Sequence, residues 1–122
     1  HAMKLDDLIE TAASNHPLDS VNVEEVARQT SLSIPGVLDL FAKTVASRYL
    51  RGDYSYGFGD MAMNQLFSFA YTETGVGLSD FAWQVFAAFD EGEYTRELAP
   101  PEQQGEALTR ELLGRIGSLG GA

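Results

Sequence analysis

The stretch Ser33-Ile34-Pro35-Gly36-Val37-Leu38-Asp39-Leu40-Phe41-Ala42-Lys43-Thr44-Val45-Ala46-Ser47-Arg48-Tyr49 decides the fold class. Ile34, Val37, Leu38, Phe41, Ala42, Val45 and Tyr49 follow the helical period and form one continuous apolar stripe. Pro35 falls in the first turn, where its missing N–H costs nothing. Burying such a stripe stabilises a fold by about 1.5–3 kcal/mol per large side chain. The stretch therefore predicts a core helix that begins after Ser33.

Outward from it, the rest of the chain also reads as helices separated by Gly, Pro and capping residues. Leu5, Leu8, Ile9 and Ala12 predict a helix over about 4–14, ended by Asn15-His16-Pro17 because Pro17 disfavours helical geometry in the residue before it. A short helix is expected over about 23–30, with Asn22 as its cap and Glu25 completing a capping-box-like pair. The run from Arg51 to Gly59 reads as a glycine-rich loop. Asp60 is expected to cap a helix over about 61–72 that buries Met63, Leu66, Phe67, Ala70 and Tyr71. Ser79 is expected to cap a helix over about 80–91, with Phe81, Ala82, Val85, Phe86 and Phe89 inward. Gly92 fits the position after its end, where glycine tolerates left-handed geometry. A last helix is expected over about 101–116, with Leu108, Leu112 and Ile116 inward. No alternation bounded by hairpin turns predicts a strand. The expected fold is all-α: a single-domain bundle of five or six helices spanning 3–117, around Phe41, Val45, Phe67, Ala70, Val85, Phe86, Phe89 and Leu112. His1 and Ala2 read as a cloning remnant and 118–122 as a loose tail.

The 122 residues fit one core, and the 44 % hydrophobic content is that of a globular chain. The formal net charge is −10, from 8 basic and 18 acidic residues. That balance disfavours DNA, RNA or anionic membrane as the main partner, since each phosphate contact needs a cation. There is no cysteine, so disulfides and thiolate chemistry are excluded, which fits a reducing cytoplasm. No apolar run is long enough for a membrane span, and Lys4-Leu5-Asp6-Asp7 is not the apolar run of a signal peptide.

Between Gly52 and Thr95 stand seven acidic residues and no Lys, Arg or His, together with most of the aromatic side chains. A one-signed, aromatic-rich block points to a surface that attracts a basic partner. Asp90-Glu91-Gly92-Glu93 sets carboxylates around a helix C-terminus, where the dipole is already negative. The spaced pattern of a calcium loop is absent there, so no metal is expected. Gly52-Asp53-Tyr54-Ser55-Tyr56-Gly57-Phe58-Gly59 lacks the Gly-Lys-Ser/Thr of a phosphate loop, so no nucleotide cofactor is expected either. With His16 as the sole histidine beyond His1 and no Gly-x-Ser-x-Gly elbow, the chain is not expected to be an enzyme. Val23 to Phe41 has the outline of a helix-turn-helix. Its second helix opens with Ile34, Pro35, Gly36, Val37, Leu38 and Asp39, none of which makes the bidentate contacts that read base edges.

Asp60-Met61-Ala62-Met63-Asn64-Gln65-Leu66 and the run from Phe81 to Tyr94, above all Ala88-Phe89-Asp90-Glu91-Gly92-Glu93-Tyr94, resemble small acidic bacterial proteins of the toxin-immunity type. The resemblance implies a cytoplasmic protein that binds one cognate toxin and blocks it. The residues expected to meet a basic partner are Asp53, Tyr54, Tyr56, Asp60, Asp90, Glu91, Glu93 and Tyr94. The carboxylates would pair with its Lys and Arg, and the tyrosines would supply desolvated anchors. The alternative expectation is a non-enzymatic adaptor or regulatory domain working through the helices of Val23 to Tyr49. A DNA-binding regulator stands behind it, with only Arg28, Lys43, Arg48 and Arg51 to build a positive patch.

Overall fold

The computed structural model describes residues 3–93 and 105–116, in which six helices and no strand occur. They are α1 (Leu5–Ala13), α2 (Ser20–Thr30), α3 (Ile34–Leu50), α4 (Tyr56–Thr72), α5 (Asp80–Glu91) and α6 (Gly105–Gly114). The expected start of the last helix at Pro101, and the expected tail, lie outside the described residues.

The helix starts follow local capping chemistry. Ser33, Ser55 and Ser79 each turn a side-chain oxygen onto the N–H three residues on, at Gly36, Phe58 and Ala82. Asp19 does the same for α2, accepting from the Asn22 N–H at 2.8 Å. That corrects the expected cap of α2: Asn22 is a donor inside the first turn, and the helix begins three residues before Val23. It also corrects Asp60. The helix it was expected to cap begins at Tyr56 behind Ser55, and Asp60 lies within it. Two of the three glycines that read as loop, Gly57 and Gly59, are helical, and they differ in the space around them. Gly57 has open space at its Cβ position. Gly59 is buried, and a Cβ there would lie 2.7 Å from the Phe89 ring. It allows α4 and α5 to approach closely.

α4 lies at the centre, against α1, α3 and α5, while α2 packs on α3 and α6 on α5. The shared core holds Phe41, Val45, Tyr49, Met63, Leu66, Ala70, Val85 and Phe89, all fully buried. The stripe of α3 is buried as read, except that Ile34 is partly exposed. Three expected core residues sit further out. Phe67 and Phe86 stack on each other at 4.3 Å between ring centres, with Tyr71 against Phe67 at 4.5 Å. This aromatic seam lines the outer side of the α4–α5 contact, and Phe69 takes the inward place instead. Ile116 is buried as expected, but Leu108 and Leu112 are half-buried because the inward face of α6 lies one residue further on. Thr109 and Leu113 point inward, and the Thr109 hydroxyl donates to the Ala88 carbonyl at 2.7 Å. That buried hydroxyl finds its partner in α5, which fixes the rotation of α6.

Candidate functional site, a carboxylate cluster at the seam of three helices

The first turns of α4 meet the last turn of α5 where α6 begins. Tyr56 projects into this seam from the start of α4. Its ring packs at 5.8 Å from Phe89 and edge-on to Tyr49 at 6.3 Å, and its hydroxyl donates to the Phe89 carbonyl at 2.5 Å. Gly92 closes α5 with φ −72, which corrects the left-handed geometry expected of it. Space is what requires glycine here. A Cβ would lie 2.0 Å from Thr109 Oγ1 and 3.0 Å from the Tyr56 hydroxyl. The chain passes through this crossing with no room for a methyl group.

Asp60 stands one turn after Tyr56 on α4. Its Oδ1 is buried and finds no hydrogen-bond partner. Burial, then a hydrogen bond with Glu93, then the charges of Glu93 and Asp90 push the Asp60 carboxyl up to about 7. Burial and the charges of Glu93 and Glu91 raise Asp90 as well. The Tyr56 hydroxyl is pushed up, first by burial and then by the charges of Asp60 and Glu93. The fold thus draws Tyr56, Asp60, Asp90 and Glu93 into one acidic group, although Asp60 and Asp90 are thirty positions apart in sequence. Such crowding stabilises a shared proton or an incoming cation. Among the described residues, no set of three or more His, Asp or Glu side chains is arranged to hold a metal ion.

The other expected residues fall elsewhere. Asp53 is exposed and pairs with Arg51 at 3.0 Å. Tyr54 stacks on Phe58 at 4.2 Å, and its hydroxyl accepts from Arg48 at 2.7 Å. The same guanidinium pairs with Asp6 of α1 at 2.9 Å. Glu91 is partly buried on α5, where it lines a shallow groove with Trp83 and Leu112. Tyr94 lies outside the described residues. Sequence reasoning did not find Arg48 as the organiser of the α1–α3 edge, nor the Tyr49 hydroxyl donating to Glu106 at 2.8 Å with Arg110 stacked over its ring. Each joins residues far apart in the chain, and no local signal marks them.

Arg48 and Arg51, two of the four cations available for a positive patch, are engaged by Asp6 and Asp53. No helix among the described residues is long and apolar enough to cross a membrane. The chain shows no significant match to any protein-family model, curated protein or solved structure.

Proposed function

We propose that this chain is an acidic binding protein that engages and inhibits a basic protein partner, in the manner of an immunity protein that occludes a toxin. The observation that carries the reading is the crowding of Asp60, Asp90 and Glu93 around Tyr56. Asp90 and Glu93, at the C-terminal end of α5, repel each other, the nearby Asp60 and the dipole of α5. A lysine or arginine from a partner relieves both terms at once, so binding is favoured by strain already present in the free protein. The net charge of −10 adds long-range steering toward a basic surface. The engaged states of Arg48 and Arg51 speak against a phosphate-binding alternative.

The test is capture of partners from the source cells on the immobilised chain, followed by titration of the purified partner with the wild type and with D90K/E93K. Lysine near the end of α5 suits its dipole, so the double reversal leaves the helix sound. The expected result is one basic protein, inhibited at equimolar ratio, whose affinity falls by at least about tenfold in the variant and with added salt. An unchanged affinity in D90K/E93K would sink the reading.

A further inference from the structure

A second surface lies away from the carboxylate seam. Ile34, Pro35 and Leu38 from the first turns of α3, Phe69 from α4 and Val76 from the α4–α5 loop line an open groove of about 270 Å³. A cavity of about 150 Å³ lined by such residues is large enough for benzene, so this one admits a branched aliphatic or aromatic side chain. Its wall is built rather than loose. Thr74 Oγ1 donates to the Ala70 carbonyl at 2.6 Å and accepts from the Val76 N–H at 3.2 Å, and the Gly77 N–H returns to the Ala70 carbonyl at 3.1 Å. Gly77 has φ +83, and Tyr71 packs so closely on it that a Cβ would lie 2.4 Å from the ring. This ordered turn holds Val76 at the rim with 81 % of its surface in water. An aliphatic side chain fixed in that state gains by being covered, and little ordering entropy is lost in covering it.

The rim is charged with one sign. Glu24 of α2 and Glu73 at the end of α4 line the groove, and neither has an ion-pair partner among the described residues. Among the described residues, no Lys or Arg lines it. We infer that this groove docks a basic amphipathic segment of a protein partner, seating an aliphatic side chain between Val76, Pro35 and Phe69 while flanking Lys or Arg side chains meet Glu24 and Glu73. A second copy of the chain does not fit, because its net charge of −10 opposes self-association at an acidic rim. Anionic lipid is repelled for the same reason. The inference rests on the reading of a basic partner, and adds a second contact with its own chemistry.

The test uses the full chain, methyl-labelled for NMR, and a short helical Lys/Leu peptide with leucines at i, i+3 and i+7. Matching Lys/Ser and Glu/Leu peptides are the controls. The methyl groups of Ile34, Leu38 and Val76 are expected to shift and saturate with the Lys/Leu peptide alone. Val76→Arg and the pair E24K/E73K are expected to weaken that binding at least about tenfold, while D90K/E93K leaves the Ile34, Leu38 and Val76 shifts in place. The three altered groove positions are exposed, so the remaining methyl spectrum reports that each variant is folded. The inference is overturned if these methyl groups do not respond, or if the Glu/Leu peptide binds equally well. Concentration-dependent shifts without any peptide would assign the groove to a second copy and overturn it too. The groove and the carboxylate cluster fail separately. D90K/E93K tests the cluster against a captured partner, and the groove variants answer to the peptide.

Discussion

The Tyr56 hydroxyl donates to the Phe89 carbonyl at 2.5 Å, across 33 residues of sequence, and so ties the first turn of α4 to the last turn of α5. The carbonyl also accepts from the Gly92 N–H at 3.1 Å. Removing the hydroxyl therefore leaves a buried acceptor that keeps one of its two partners. Tyr56→Phe is expected to cost about 1 kcal/mol, the net worth of one hydrogen bond, with no larger desolvation penalty. Urea unfolding of the two proteins measures it through the midpoint at constant slope. A loss above about 3 kcal/mol would show that the hydroxyl does more than this bond.

Two glycines separate the two reasons for having glycine in a helical chain. At Gly92 a Cβ meets Thr109 Oγ1 at 2.0 Å, and Thr109 is fully buried and bonded to α5. Gly92→Ala has to push α6 away, at a cost of about 1–3 kcal/mol. At Gly57, in the first turn of α4, the Cβ position is open. Gly57→Ala is expected to stabilise by about 0.4–1 kcal/mol, by narrowing the unfolded ensemble. Opposite shifts in thermal midpoint are the expected outcome, and equal shifts would remove the crowding argument at Gly92.

The same contrast shows where sequence reasoning reaches and where it stops. α3 and α5 are legible with their boundaries because Ser33 with Pro35, and Ser79 with a long apolar face, are signals a few residues wide. The start of α4 is not legible, since Gly57 and Gly59 look alike in sequence. Only the Phe89 ring, thirty positions on, explains why position 59 inside that helix has to be glycine. In α6 the residues Leu108, Leu112, Leu113 and Ile116 support two neighbouring stripes, and the bond from Thr109 to Ala88 chooses between them. The candidate site divides in the same way. Asp90 and Glu93 are neighbours in the chain, so their repulsion is readable. Asp60 joins them only because α4 packs on α5, and Asp53, grouped with them by its place in one acidic block, is taken by Arg51.

Ser79 carries two jobs in one hydroxyl. It accepts from the Ala82 N–H at 3.2 Å as the cap of α5, and it donates to Asp39 Oδ1 of α3 at 2.5 Å. Ser33 caps α3 with a single bond, to the Gly36 N–H. Ser33→Ala is expected to cost about 1 kcal/mol, and Ser79→Ala up to about 2 kcal/mol. A double-mutant cycle of Ser79→Ala with Asp39→Ala isolates the second bond. A coupling energy near zero would show that Ser79 acts as a cap alone.

Asp60 gives the fold a dependence on pH of unusual sign. Its carboxyl is raised to about 7 in the folded protein from an ordinary value of 3.8, by burial first and then by Glu93 and Asp90. Between those two values the folded state holds a proton that the unfolded chain has released. Stability then falls as pH rises through the window, because the unfolded state binds fewer protons than the native one. Asp90, raised in the same direction, adds to the slope. Most carboxylates in proteins do the reverse, being held down by cations and losing their contribution in acid. Asp60→Asn keeps the shape and the capacity to hydrogen-bond Glu93 while removing the titration. It is expected to flatten the slope between about pH 4 and 7 and to stabilise the protein at pH 8 by about 1–2 kcal/mol, after allowance for solvent screening at a partly exposed site. Urea unfolding across pH for both proteins measures this. If the wild type gains stability from pH 5 to 8 and D60N gains the same amount, Asp60 is not the proton-holding group. A flattened slope in D60N would instead identify Asp60 as the group that holds the proton.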